Sequence, residues 1–153
     1  MTVIVIRELT PATRRIVLWT PSLAYMAWIF YLSSESNPLP ALTAVVWDKA
    51  LHAIGYAALG GLLAAALAGE GWSRTRIWLY ATLIASAYGA SDEFHQWFVP
   101  GRDCDVHDWI ADSLGALVGA SACVGFLEVW SRYVVRRWPG LTKLNLWFGA
   151  RRR

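Results

Sequence analysis

The sequence has 153 residues, of which 56% are hydrophobic and only 16% are charged. Soluble domains are about one quarter charged, so this composition indicates a single-domain membrane protein and argues against a soluble enzyme or binding module. The net charge of +3 would favour nucleic acid only if the basic residues formed a patch on a soluble surface. They stand instead at the ends of apolar runs, so no nucleic-acid partner is expected.

Two uncharged runs in the first half of the chain, residues 16–34 and 50–69, are each long enough to cross a bilayer core. Arg14 and Arg15 precede the first run, and Pro21 is expected in its first turns, where proline is tolerated best. The second run is rich in Ala and Gly, which let helices approach each other closely in lipid. Both runs are predicted to be transmembrane helices.

The third and fourth uncharged runs, residues 77–91 and 113–127, are shorter than the 17–25 or so residues that a transmembrane helix needs. Each helix must therefore extend into polar neighbours. These are Asp92, Glu93, His95 and Gln96 after the third run, and Asp108 and Asp112 before the fourth. We therefore expect this acidic cluster to lie below the membrane surface.

A Pro-Gly turn separates the third and fourth predicted helices. Residues before proline are biased away from helical geometry, so the third helix is predicted to end between residues 96 and 99. Pro100 and Gly101 then reverse the chain, and the fourth helix is predicted to begin between residues 105 and 108.

The Lys and Arg residues are distributed unevenly between the two ends of the predicted bundle. Only Lys49 and Arg102 lie on one side, and the other 12 of the 14 lie on the opposite side. The positive-inside rule then predicts cytoplasmic termini. The predicted fold class is an all-α membrane protein with four transmembrane helices and both termini in the cytoplasm. Its expected parts are a cytoplasmic segment (1–15), the transmembrane domain (16–131) and a basic amphipathic cytoplasmic tail (132–153).

Three predicted helices bring polar residues to the same membrane end. In chain order, these are Asp48, Lys49, His52 and Tyr56; then Tyr88, Asp92, Glu93 and Gln96; then Asp105, Asp108 and Asp112. Spacings of three and four residues place most of each set on one helical face. Gly115 and Gly119 continue the last stripe as a close-packing GxxxG face. Ionisable groups in lipid usually face the bundle interior and pair with one another.

Each of these residues also has a purely structural interpretation. Asp48 and Asp105 are equally consistent with solvated acids at the membrane surface. A hydrogen bond to Asp48 or Asp92 would satisfy a buried His52. Arg102 is expected between acids, and its role could be limited to ion pairs with Asp105 or Asp108.

The polar residues also form a motif. It reads Asp48-Lys49-x-x-His52-x-x-x-Tyr56-x-x-Leu59-Gly60, then Ser91-Asp92-Glu93-x-x-Gln96-x-Phe98-Val99-Pro100-Gly101-Arg102-x-x-Asp105-x-x-Asp108, then Asp112-x-x-Gly115. Over about residues 20–130 the chain resembles the VanZ-like family of bacterial membrane proteins. Many members have Asn where this chain has Asp112, which adds an acid here. The founding member is linked to teicoplanin resistance, so the resemblance implies an envelope function related to glycopeptide resistance.

The first functional hypothesis is an outward-facing pocket that binds a membrane lipid or a lipid-linked cell-wall precursor by its phosphorylated head group. Arg102 and Lys49 would contact phosphate, and His52, Gln96 and Tyr56 would add hydrogen bonds. We hypothesise one pocket, whose members are His52, Glu93, Gln96, Arg102, Asp105 and Asp108.

The alternative hypothesis is a membrane-embedded, metal-assisted hydrolase or transferase acting on a lipid-linked phosphate. A divalent cation would bind to acids, and His52 would act as general base. The acids are Asp92, Glu93, Asp105, Asp108 and Asp112. The candidate catalytic residues are His52, Glu93 and Asp108, and no metal ligand is assigned with certainty. Ion-coupled transport is a third option, which four short helices would support only as a homo-oligomer.

Overall fold

A computed structural model describes residues 10–38 and 40–134, and these residues contain helices and no strand. The helices are α1 (Pro11–Ser33), the single turn α2 (Pro40–Thr43), α3 (Asp48–Gly69), α4 (Arg74–Gln96) and α5 (Val106–Val129). A π-helical turn, Trp130–Val134, continues α5. Most of the predicted basic tail lies outside the described residues. The predicted all-α fold with four long helices is confirmed.

Three of the long helices, α1, α3 and α5, are long and apolar enough to cross a membrane. The shortest of them, α3, has 22 residues and spans about 33 Å at 1.5 Å per residue. The remaining long helix, α4, has 23 residues but carries Arg74, Arg76, Asp92 and Glu93, which make it more polar. The molecule is therefore a helical membrane protein in which α4 carries more charged residues than any other of the described long helices.

The first helix begins earlier than the sequence predicted. Thr10 caps it by accepting a hydrogen bond from the Thr13 N–H, and Pro11 occupies its first position, where a missing N–H costs nothing. Arg14 then donates to the Gly69 carbonyl at the end of α3. The expectation that Pro21 lies in the first turns is consequently wrong, because that residue stands in the interior of α1.

The turn between α4 and α5 follows the prediction. Helix α4 ends at Gln96 and α5 begins at Val106. Gly101 adopts φ +80°, a left-handed conformation that glycine accepts without steric cost. Asp105 then caps α5 by accepting a hydrogen bond from the His107 N–H at 2.8 Å. The Asp105 N–H also donates to Glu93 near the end of α4, so the ends of α4 and α5 lie side by side.

Helix α3 is the centre of the bundle and contacts α1, α4 and α5. Its contact with α5 is backbone on backbone: a Cβ added at Gly115 would lie 2.1 Å from the Ala53 carbonyl oxygen, and one at Gly119 would lie 1.8 Å from that of Ala57. The predicted close-packing face is thus confirmed, and it holds the polar ends of α3 and α5 in a fixed register.

Candidate functional site

Lys49 joins the polar ends of α3 and α5. Its Nζ donates to Asp105 Oδ2 and to Asp108 Oδ1, each at 2.6 Å. The Asp108 side chain is only 9% exposed, and that of Lys49 is 22% exposed. We call Lys49, Asp105 and Asp108 the lysine cluster. Because the amino group has two acidic partners, its charge is neutralised within the protein.

Asp105 is the outermost member of the lysine cluster and lies in the turn, outside the membrane-spanning helices. The hydrogen bond from Lys49 is the main reason that the pKa of its carboxyl lies well below its usual range. The N–H and the ring of His107 add two further hydrogen bonds to the same carboxylate. Asp105 is therefore charged at neutral pH and tied to three partners.

His52 lies one turn deeper on α3 and pairs with Asp112. Its Nδ1 lies 3.0 Å from Asp112 Oδ1, and the Asp112 side chain is completely buried. The predicted partners, Asp48 and Asp92, were therefore wrong. The reason is the helix contact described above, which brings α5 against the face of α3 that carries His52. Gly89 of α4 makes the room, since a Cβ there would lie 2.9 Å from Asp112 Oδ2.

Glu93 links the end of α4 to the start of α5. Its Oε2 accepts a hydrogen bond from the Asp105 backbone N–H at 2.9 Å. The residue is only 3% exposed, and Oε1 has no hydrogen-bond partner. Glu93 therefore fixes the turn with one oxygen and leaves the other unsatisfied in the interior.

Arg102 has a different environment from Lys49. Its Nε and Nη2 both donate to Gln96 Oε1, at 3.1 and 2.7 Å, while Gln96 Nε2 donates to Asp92 Oδ2 at 3.2 Å. Arg102 forms no ion pair with any described residue. The expectation that it lies between acids and pairs with Asp105 or Asp108 is wrong, because Lys49 occupies both of those carboxylates.

A cavity of about 260 Å³ lies between α1, α3 and the end of α4. Its polar lining consists of Ser33, Thr43, Asp48, His52, Tyr56, Asp92, Gln96 and Arg102. The hydroxyls of Ser33 and Tyr56 are buried and have no hydrogen-bond partner. The rest of the lining is largely apolar or aromatic and includes Tyr25, Trp28, Ile29, Leu32, Leu51 and Ile54.

Only half of the six residues that the sequence predicted in one pocket line this cavity. His52, Gln96 and Arg102 line it, whereas Glu93, Asp105 and Asp108 do not. Those three acids lie in the interface between α4, α5 and the turn. The single-pocket hypothesis is therefore corrected to a cavity beside an acidic interface, with His52 between them. Lys49 and Asp112 also belong to the interface side.

No pattern in the sequence indicates the wall that α1 contributes to the cavity. Trp28, Ile29 and Leu32 are ordinary residues of a membrane-spanning helix, and only their position against α3 makes them part of a site. Ser33 differs from these residues because it is polar and stands at the end of a predicted transmembrane run. The structure buries it, with only 4% of the residue exposed. Its polarity at this position is the one feature of α1 in the sequence that points to the cavity.

Within the described residues, two groups of side chains have the geometry to hold a metal ion. His52, Glu93 and Asp112 each present a ligand atom within 4.8 Å of the other two. Asp48, His52 and Asp108 satisfy the same criterion. Asp48 is exposed, and Asp108 is already bonded to Lys49, so the first group is the more completely buried and the less occupied.

The family model described as VanZ/LLP1 matches residues 2–128, which includes every residue of the cavity and the acidic interface. No curated protein and no solved structure matches the chain.

Proposed function

The chain belongs to the VanZ/LLP1 family, and on that premise we propose that its cavity binds the phosphorylated head group of a membrane lipid or of a lipid-linked cell-wall precursor. The observation that supports this most directly is Arg102, a half-buried cation that lines the cavity and has no acidic partner among the described residues. Burying a charge that has no partner costs free energy. A bound phosphate would offset that cost.

Gln96 orients the guanidinium for this purpose. It accepts hydrogen bonds from Nε and Nη2, while a guanidinium has five N–H donors in a planar fork. The donors that Gln96 does not use are available for bidentate contact with phosphate oxygens. The unpartnered hydroxyls of Ser33 and Tyr56 supply further donors from α1 and α3.

The size and lining of the cavity favour a head group over a whole lipid. Ligand pockets usually measure about 300–1,000 Å³, so about 260 Å³ accommodates a small polar group and leaves acyl or prenyl chains outside. Trp28, Ile29 and Leu32 form an apolar wall beside it. Chains that follow this wall would remain in the hydrocarbon region next to α1.

Exposed aromatic side chains surround the same end of the bundle. Trp47, Trp97 and Phe98 are 73%, 70% and 70% exposed, and such residues concentrate at membrane–water interfaces. This supports a cavity at head-group depth. The uneven distribution of Lys and Arg supports the outer face of a bacterial cytoplasmic membrane, with both termini cytoplasmic.

Orientation is tested by labelling Cys104, which is exposed in the turn at this end. We expect a membrane-impermeant maleimide to label it in intact spheroplasts, and Cys104→Ser to abolish the signal because Cys123 is half-buried within α5. Labelling that requires lysed membranes would reverse the orientation and place the cavity on the cytoplasmic side.

Head-group binding is tested by native mass spectrometry of the purified chain with a polyprenyl phosphate, phosphatidylethanolamine and diacylglycerol. We expect the two phosphorylated lipids to bind and diacylglycerol not to bind. Hydrogen bonds to charged groups contribute about 1.5–3 kcal/mol, so Arg102→Ala should weaken phosphate-dependent binding roughly tenfold to hundredfold. Arg102→Lys should recover only part of it, because the planar fork is lost.

Arg15→Ala is the matched control, since Arg15 pairs with Glu70 at the opposite end and is 73% exposed. Equal binding of all three lipids, or equal loss in both alanine variants, would contradict the head-group proposal. We also propose that the envelope function includes glycopeptide susceptibility. The expected result is a changed teicoplanin inhibitory concentration on deletion, restored by the wild-type chain and not by Arg102→Ala at matched membrane levels.

A further inference from the structure

The acidic interface and the adjoining wall of the cavity, which includes Asp92, contain more buried carboxylates than cations. Asp92, Glu93, Asp108 and Asp112 are 5%, 3%, 6% and 0% exposed. Lys49 pairs with Asp108, and His52 pairs with Asp112. Asp92 and Glu93 have no ion pair with any described residue. An uncompensated carboxylate in the interior costs several kcal/mol, so the cluster requires additional positive charge in the form of protons or a bound cation.

Unsatisfied carboxylate oxygens indicate where that charge would be placed. In the described part of the chain, Asp92 Oδ1, Glu93 Oε1 and Asp112 Oδ2 are buried and have no hydrogen-bond partner. Their other oxygens are already occupied, by Gln96, the Asp105 N–H and His52 respectively. Buried polar atoms without partners are rare in native proteins. Two of these oxygens belong to Glu93 and Asp112, the acids that form a metal-compatible group with His52.

We propose that His52, Glu93 and Asp112 bind a divalent cation of the Zn²⁺ or Mn²⁺ class. An imidazole nitrogen together with two carboxylates suits these ions, whereas Mg²⁺ and Ca²⁺ prefer ligand sets made only of oxygen. The three residues come from α3, α4 and α5, so the ion would join three helices. Since His52 also lines the cavity, the ion would lie at the inner boundary of the cavity.

The contact between α3 and α5 supports this site because it leaves the ligands little freedom to move apart. Gly115 and Gly119 hold the two helices at backbone contact, and Glu93 is anchored to the turn through the Asp105 N–H. A metal site needs its ligands held near the productive geometry. The proposal does not depend on the head-group proposal, because none of its acids lines the cavity.

The experiment uses the full chain purified in detergent, stripped with EDTA and dialysed against Zn²⁺, Mn²⁺, Mg²⁺ or Ca²⁺. Bound metal is measured by elemental mass spectrometry, and thermal unfolding by tryptophan fluorescence. We expect close to one Zn²⁺ or Mn²⁺ per chain, a raised unfolding temperature with these ions, and a much smaller effect of Mg²⁺ and Ca²⁺. Lipid binding is measured separately with metal-free protein.

Glu93→Gln and Asp112→Asn keep the size of each side chain and remove its charge. Each should weaken metal binding by at least about tenfold, since even indirect partners of a metal site contribute tenfold to hundredfold. Metal-free Glu93→Gln should be as stable as the metal-free wild type or more so, because Glu93 has no ion pair with a described residue and a buried charge has been removed. Glu128→Gln, an acid paired with Arg74 at the other end of α5, should bind metal as the wild type does.

Three results would overturn the proposal. The first is no metal above the detergent blank in the wild type. The second is unchanged binding in Glu93→Gln and Asp112→Asn. The third is binding that is lost in Asp108→Asn and retained in Glu93→Gln, which would assign the ion to the group of Asp48, His52 and Asp108 instead.

Discussion

Lys49 and Arg102 are the two basic residues at the polar end of the bundle, and their surroundings differ completely. Lys49 bonds two carboxylates at 2.6 Å and joins α3 to α5. Arg102 bonds an amide oxygen, lines the cavity and has no acidic partner in the described part of the chain. A cation whose charge is neutralised within the protein contributes to structure, whereas one without a counter-charge is available to a ligand. This end of the bundle therefore has two halves. We call the lysine cluster with the contact between α3 and α5 the structural half, and Arg102 with the cavity the binding half.

The structural half depends most strongly on the close contact between α3 and α5. Gly119→Leu would place a side chain against the Ala57 backbone, where even a Cβ comes within 1.8 Å of the carbonyl oxygen. Overpacking costs about 1–3 kcal/mol, and backbone cannot move aside as a side chain can, so we expect a loss at or above that upper value. Thermal unfolding and membrane yield provide the measurement.

Gly125→Leu on the same helix is the matched control, because a Cβ there meets nothing within 4 Å. It should insert and unfold like the wild type. If both leucine variants were equally stable, the contact between α3 and α5 would not organise this end of the bundle.

Lys49→Met should have the next largest effect. It leaves the nearly buried Asp108 without its cation, and an unsatisfied buried polar group costs about 1–3 kcal/mol. Arg15→Met removes an exposed ion pair with Glu70 at the opposite end and should cost no more than about 1 kcal/mol. If the unfolding temperature decreased by the same amount in both variants, the lysine cluster would have no special structural role.

The contribution of the lysine cluster to stability should decrease as the pH becomes strongly acidic. The pKa of Asp105 is lowered in the folded state, so its contribution to stability is present above the unfolded pKa of about 3.9. That contribution is lost as pH falls below this value toward the folded pKa. The difference in unfolding temperature between wild type and Lys49→Met should therefore be constant at neutral pH and shrink in strongly acidic buffer. A difference that grew on acidification would refute the assignment.

Arg102→Ala should have the smallest effect on stability. Its main loss is the contact with Gln96, and a hydrogen bond contributes about 0.5–1.5 kcal/mol. The same variant should lose most of the binding to phosphorylated lipid, so stability and binding should separate. Destabilisation as large as that of Lys49→Met would show that Arg102 is a structural cation, and the comparison between the two halves would fail.

The sequence by itself determined the helices and the burial of the polar residues. Uncharged runs predicted four long helices, and two runs that were too short placed Asp92, Glu93, Asp108 and Asp112 within the bundle, where the structure buries them. Pro100 and Gly101 predicted the turn that brings α4 and α5 together. These features follow from hydropathy, helical spacing and backbone stereochemistry, all of which are local properties of the chain.

Only the tertiary structure decided which charges meet. Helical spacing shows that Lys49 and His52 are near the acids, but it does not fix the rotation of one helix against another. The contacts of Gly115 and Gly119 set that rotation. As a result, Lys49 pairs with Asp105 and Asp108, and His52 pairs with Asp112. Arg102 instead donates hydrogen bonds to Gln96 and lines the cavity. The cavity wall that α1 contributes could not be predicted from the sequence either. Its apolar residues show the same sequence pattern whether they face lipid or a ligand.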